Sequence, residues 1–107
     1  LMVGADPFFT SRRHQIVSLA ARHAIPAIYD WQEYALAGGL MSYGTSLSAG
    51  YRQAANYVSR ILRGNLPGEL PIVQLSSFEL TINLATARSL GLSVPRVLLA
   101  HADLIIE

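Results

Sequence analysis

The stretch Gly38-Gly-Leu-Met-Ser-Tyr-Gly-Thr-Ser-Leu-Ser-Ala-Gly-Tyr-Arg-Gln-Ala54 decides how this chain folds. Its first half, Leu40 to Gly44, reads as a short apolar strand that breaks at Gly44. Its second half opens a helix, with Thr45 or Ser46 as the cap. Apolar residues then fall at Leu47, Tyr51, Ala54, Ala55, Val58, Ile61 and Leu62, spaced by three and four over about four turns. Gly64 follows Arg60 and Arg63, where a left-handed helix end belongs. A strand turning directly into an amphipathic helix is the repeating unit of layered α/β folds, and strand tips facing helix starts are where such folds hold small ligands.

The rest of the chain repeats this grammar. Leu1 to Asp6 is a short apolar run closed by a turn residue, and reads as a strand. Pro7 prevents its smooth continuation, and Thr10 or Ser11 can cap a helix running to about His23, with Ile16, Val17, Leu19, Ala20 and Ala24 in helical rhythm. Ile25 to Asp30 forms a second short strand, and Trp31 to Gly39 reads as a loop that can hold one helical turn. Beyond the long helix, Asn65 to Pro71 is rich in turn residues. Ile72 to Leu75 and Phe78 to Ile82 read as extended. Asn83 can cap a short helix closed by Gly91, Pro95 can open a last helical turn, and the tail ends on a possible strand. The order predicts one α/β domain, with a mostly parallel sheet flanked by helices on both faces.

Composition narrows the function classes. The chain has 107 residues, 51% hydrophobic and 14% charged, with a net charge of +1. That is a globular chain without the basic stripe a nucleic-acid binder carries. It has no cysteine, so disulfides, thiol nucleophiles and cysteine metal sites are excluded. No apolar run approaches the roughly 18 residues that span a membrane. No signal peptide is visible, and the opening residues read as the inside of a strand, as in a piece of a longer protein. Motifs for serine hydrolases, zinc peptidases and nucleotide binding are absent, and His14 and His23 lie too far apart to share a metal face. No catalytic residue, metal ligand or cofactor site is therefore assigned. Arg12 and Arg13 read as a solvated face.

Candidate ligand contacts lie at the carboxyl ends of the strands. Asp6 can accept from a ligand ammonium or hydroxyl, or can cap a helix. Pro7 and Phe8 follow it, and either Phe8 or Phe9 can stack on a ligand while the other packs. Tyr43 can present its ring and hydroxyl, or be buried. Trp31 offers an indole after the second strand. Gly44 and Thr45, with Ser46, open the long helix and its free N–H groups, which suit a carboxylate, as every helix start does.

Taken together, "GGLMSYG", "YRQAANYVSRILRG", "LPGELPIVQ" and "FELTINLATARSLGL", in this order and spacing, resemble the C-terminal part of ABC-transporter substrate-binding proteins. The branch is the one related to tryptophan- and tyrosine-uptake binding components, and the resemblance runs from about Val3 to Glu107. It implies a type I periplasmic binding fold, in which two α/β lobes joined by crossing strands close on a ligand and hand it to a membrane permease. Residues 1–64 would form the ligand-lobe core, 65–77 the hinge-crossing connection and 78–107 a C-terminal segment, with Phe78 to Leu92 beside the other lobe. By this resemblance Asp6 is a polar cleft residue, Tyr29 and Asp30 face the same opening, and Tyr43 and Gly44 match a "YG" at the third strand tip. The candidate ligand set is thus Asp6, Pro7, Phe8, Tyr29, Asp30, Tyr43, Gly44 and Thr45. The implied partners are a small organic ligand such as an amino acid and an ABC permease, in the periplasm or at the outer face of the membrane. One lobe alone leaves apolar surface uncovered, so the isolated chain is expected to form homo-oligomers. A ligand-sensing domain of a transcriptional regulator shares the fold and is the alternative. An enzyme fragment of flavodoxin type is a third reading, which phosphate loops or a paired acid and base would favour.

Overall fold

Five short strands form one sheet in a computed structural model that describes all residues from Leu1 to Glu107. They are β1 (Met2–Val3), β2 (Ile28–Tyr29), β3 (Met41–Thr45), β4 (Phe78–Asn83) and β5 (Leu104–Ile106), in that spatial order. All pairs are parallel except β3 with β4. Met2, Ile28 and Met41 lie level across the first three strands, as do Val3, Tyr29 and Ser42. The carboxyl ends of β1, β2 and β3 therefore open on the same side. The mixed, mostly parallel α/β architecture is the one the sequence predicts.

Helices α2 (Arg13–Arg22) and α3 (Gln32–Leu36) cover the face that carries Val3 and Tyr29. Val17 and Ala20 from α2, Ala27 and Tyr29 around β2, and Tyr34 from α3 make the core, with Val3, Ile16 and Trp31 packed against it. The Tyr29 and Tyr34 rings stack at 4.6 Å, nearly coplanar. Strand pleating sends Met2 and Tyr43 to the opposite face, where they stay exposed. The sheet is thus open on part of the face that the sequence reading covered with helices.

Four local expectations change. Neither Thr10 nor Ser11 caps α2. Asp6 caps instead, its Oδ1 accepting from the Phe8 N–H at 2.8 Å, and Pro7 occupies the first turn, where its missing N–H costs nothing. The result is a separate short helix, α1 (Pro7–Ser11), whose Thr10 and Ser11 hydroxyls donate back to the carbonyls of Asp6 and Phe8. Trp31 to Gly39, read as a loop holding one helical turn, contains the slightly longer α3, with Tyr34 and Ala35 fully buried. Strand β3 does not break at Gly44 but runs on to Thr45. Gly44 is required because the Asp30 carbonyl oxygen would lie 2.0 Å from a Cβ there. Residues 72–75 join no sheet.

The long helix α4 (Leu47–Leu62) starts at Ser46, whose hydroxyl accepts from the Ala49 N–H, and ends before Gly64 at φ +106°. It has no buried residue. The chain then returns through a 3-10 turn at Pro67–Glu69 to β4. Strand β4 pairs with β3, and α5 (Leu84–Ser89) buries Ala87, so Phe78 to Leu92 packs with the sheet of β1 to β3. Asn83 caps α5 by accepting from Thr86 N–H and also donates to the Ala35 carbonyl, tying β4 to α3. Finally α6 (Arg96–His101) leads into β5, and Asp103 bridges to β4 by accepting from the Leu80 N–H at 2.7 Å.

Candidate functional site

The carboxyl ends of β1 and β2 open into a recess of about 450 Å³. One wall is the start of α1 and α2, where Asp6, Pro7, Thr10, Ser11 and Arg13 face it. The indole of Trp31, just after β2, forms part of the floor, and Leu47 and Tyr51 of α4 close the far side. The 4-then-3 spacing of Asp6, Thr10 and Arg13 puts them on one side of the α1–α2 bend. Arg13 is half-buried and donates from Nη1 to the Thr10 carbonyl at 3.2 Å. It is a wall of this recess, not the solvated face expected from its sequence.

A second recess of about 180 Å³ is formed by β1, β2 and β3 with the residues just after the first two. Asp30, Tyr29 and Tyr43 line it, with Met2, Val3 and Ile28. The candidate residues therefore divide. Asp6 and Pro7 reach the larger recess, while Tyr29, Asp30 and Tyr43 meet in the smaller one. Phe8, Gly44 and Thr45 line neither. Phe8 is 64% exposed, and its ring lies 5.9 Å from the Arg12 guanidinium. Thr45 pairs with Phe78 in the sheet, and Gly44 sits against the Asp30 carbonyl. Tyr43 stacks on Phe78 with ring centroids 5.6 Å apart. Tyr29 borders the smaller recess but is only 2% exposed, and it packs in the core because β2 pleats it to the same face as Val3.

Tyr29, Tyr34 and Asp30 form a desolvated polar cluster. The Tyr29 and Tyr34 hydroxyls and both carboxylate oxygens of Asp30 are buried without a protein hydrogen-bond partner. Burial pushes the Asp30 carboxyl above its ordinary range, opposed by its own and the Trp31 N–H groups and reinforced by Glu33. Burial likewise raises the Tyr34 phenol, with the Thr10 hydroxyl and Arg13 opposing and Asp30 and Asp6 adding. Burial and the neighbouring Tyr34 raise Tyr29. The Thr10 hydroxyl is already committed to the Asp6 carbonyl at 3.0 Å. Tyr34 thus feels Thr10, Arg13 and Asp6 from one recess and Asp30 from the other. No group of three or more His, Asp or Glu side chains is arranged to hold a metal, and no helix is long and apolar enough to cross a membrane.

Residues 1–106 match the family described as ABC transporter substrate binding protein. The chain belongs to that family. Its members bind a solute and are generally not enzymes, and they are typically periplasmic or extracellular. Three solved structures share the fold of this substrate-binding-protein chain. A conserved domain protein from Vibrio cholerae is 27% identical, with a TM-score of 0.90 over 97% of this chain. A domain from Streptococcus pneumoniae solved in complex with L-Trp is 23% identical, with a TM-score of 0.85 over 94%. A ligand-free, open substrate-binding protein with adhesive properties from Clostridium difficile is 18% identical, with a TM-score of 0.61 over 99%. The chain spans about 35% of the length of each. No curated protein matches it.

Thr10, Ser11, Arg13, Leu47 and Tyr51 escaped the sequence reading of the site. The spacing of Asp6, Thr10 and Arg13 could have signalled the first wall. Leu47 and Tyr51 carried no such signal, since their places in the apolar stripe of α4 already accounted for them.

Proposed function

We propose that this chain is part of the solute-binding component of an ABC uptake transporter and helps form a cleft for a small organic ligand such as an amino acid. One observation carries the reading: a carboxylate (Asp6), a guanidinium (Arg13) and an indole (Trp31) converge on one recess at the strand tips. A zwitterion with an apolar side chain needs those three chemistries, an acceptor for its ammonium, a fork for its carboxylate and a flat apolar surface. The Streptococcus structure with bound L-Trp supports an aromatic amino acid as the first ligand to try. The recess is open on one side, which fits closure by a second lobe. In this reading the complete protein works outside the cytoplasmic membrane and delivers its ligand to an ABC permease.

Calorimetric titration of the complete protein with L-tryptophan and other amino acids tests this. Saturable binding is expected, and Arg13→Ala should weaken it roughly tenfold to hundredfold, the value of a charge-assisted contact. Asp6→Asn keeps an N-cap for α1 and should weaken binding of the ammonium alone. Absence of binding to every amino acid tried, or wild-type affinity in both variants, overturns the reading.

A further inference from the structure

Helix α4 and the segment that follows it form an arm, which leaves the sheet after Thr45 and rejoins it at Phe78. The start of this arm meets the larger recess with two bulky residues, Leu47 and Tyr51, one turn apart on the helix. The neighbouring row of α4 carries Gly50 and Ala54, also one turn apart, and almost no side chain. A third recess, of about 240 Å³, opens over that row. Trp31, Leu47 and Tyr51 line it as well as the larger recess, so the two adjoin.

The two differ in chemistry. The larger holds Asp6 and Arg13, whereas the third has no charged residue. Its one serine, Ser46, is committed to capping α4. Leu75 closes it from the returning segment and is the only half-buried residue between Pro71 and Phe78. Gly50 has no backbone reason to be glycine. Its φ is not positive, and it lies inside a helix, which glycine weakens. An added Cβ would meet only the Leu75 Cδ1, at 3.6 Å, an ordinary contact. What glycine supplies here is room, because a longer side chain would extend toward Leu75 and fill the recess.

We propose that the third recess is the side-chain chamber of the ligand site and that Gly50 determines how bulky an apolar group it admits. The inference rests on the amino-acid reading above and gives that site its size selectivity. A ligand whose charged head meets Asp6 and Arg13 leaves its apolar end beside Trp31, Leu47 and Tyr51, the residues common to both recesses. From there the uncharged chamber takes an aromatic or large aliphatic group out of water, while a small side chain gains nothing from it. Discrimination of this kind comes from volume, since one methylene more or less in an apolar pocket changes recognition by about tenfold to two-hundredfold.

Calorimetric titration of the complete protein with L-tryptophan and L-alanine, and with indole, which lacks the charged head, tests this. Gly50→Leu fills the chamber and should shrink the preference for L-tryptophan over L-alanine by roughly tenfold or more. Gly50→Ala should keep the wild-type preference and melt no lower, since alanine is the better helix former. Ala54→Leu fills the same chamber from the next turn and should reproduce the loss even where Gly50→Leu folds poorly. An unchanged preference in both leucine variants overturns the proposal while the amino-acid reading stands. An unchanged preference with a lower melting temperature in both assigns the chamber to another part of the protein, and also overturns it. Absence of binding to either amino acid counts against the charged-head reading instead, and indole then decides the chamber. Indole binding that both leucine variants lose upholds it, and indole binding that is absent or unaltered overturns it.

Discussion

Asp30 is the residue whose chemistry is least comfortable. Its carboxylate is buried without a partner, and burial raises its pKa in the folded state. The sign of the consequence follows from linkage. A folded state that holds its proton more tightly than the unfolded chain loses stability as pH rises, beginning near the ordinary value of 3.8 and continuing until the raised pKa is passed. Asp30→Asn removes the ionisation. Its melting temperature should exceed the wild type's at neutral pH, and the gap should close below about pH 3. A gap of equal size at both pH values means the carboxylate is not the cause. Gly44 makes the opposite kind of demand. The clash of a Cβ with the Asp30 carbonyl is with backbone, so no side chain can turn away. Gly44→Ala should cost about 3 kcal/mol in denaturant melts, the upper part of the range for overpacking. Tyr29 shows why a site residue misled at this scale. A strand of two residues carries no alternation to read, so its orientation is set by pairing with Val3 and Ser42 and by Tyr34.

At the scale of elements, what could be read depended on whether the cause was local. Helix α4 was legible end to end because its caps, Ser46 and Gly64, and its stripe all lie within its own sequence. Asn83 and Gly91 framed α5 in the same way. The division of α1 from α2 was not legible, since Asp6 with Pro7 competes with Thr10 and Ser11 for one helix start and wins by offering both a side-chain acceptor and a preset φ. Helix α3 is five residues long and owes its existence to the burial of Tyr34 and Ala35 against β2 and β3, which no window of sequence reports. The larger recess follows the same rule. Asp6 was found because strand tips are local, whereas Leu47 and Tyr51 reach the recess only through the placement of a distant helix. Asn83 joins both kinds of cause. Asn83→Ala loses the α5 cap and leaves the Ala35 carbonyl without its donor, so chemical denaturation should show a loss of about 2 kcal/mol. Asn83→Asp, which can still cap, should recover part of it; equal losses in the two variants would mean that the cap contributes nothing.

At the scale of the whole molecule, the apolar surface tells more than the pocket. Met2, Tyr43 and Phe78 are exposed on the open sheet face, and Val58, Ile72 and Val73 on the arm. Water contact at that many large side chains favours association. The 107-residue chain alone should therefore sediment as a concentration-dependent mixture of monomer and larger species, while the complete protein stays monomeric. A clean monomer for the isolated chain at high concentration would argue that these faces are tolerated bare. The predominantly parallel sheet was evident from the alternation of short apolar runs and amphipathic helices. The return of Phe78–Asn83 to the first sheet was not, because its antiparallel pairing with β3 joins residues separated by the whole arm.

That return sets where the arm joins the sheet. Thr45 and Phe78, where the chain departs and comes home, are directly paired neighbours. Both tethers sit at one spot, like the two leaves of a single door hinge, and swinging the arm need disturb little of the sheet behind it. Were the arm to swing, Leu47 and Tyr51 would ride with it and Asp6 and Arg13 would stay with the frame. Opening the jaw and loosening the grip on its contents would then be a single mechanical act.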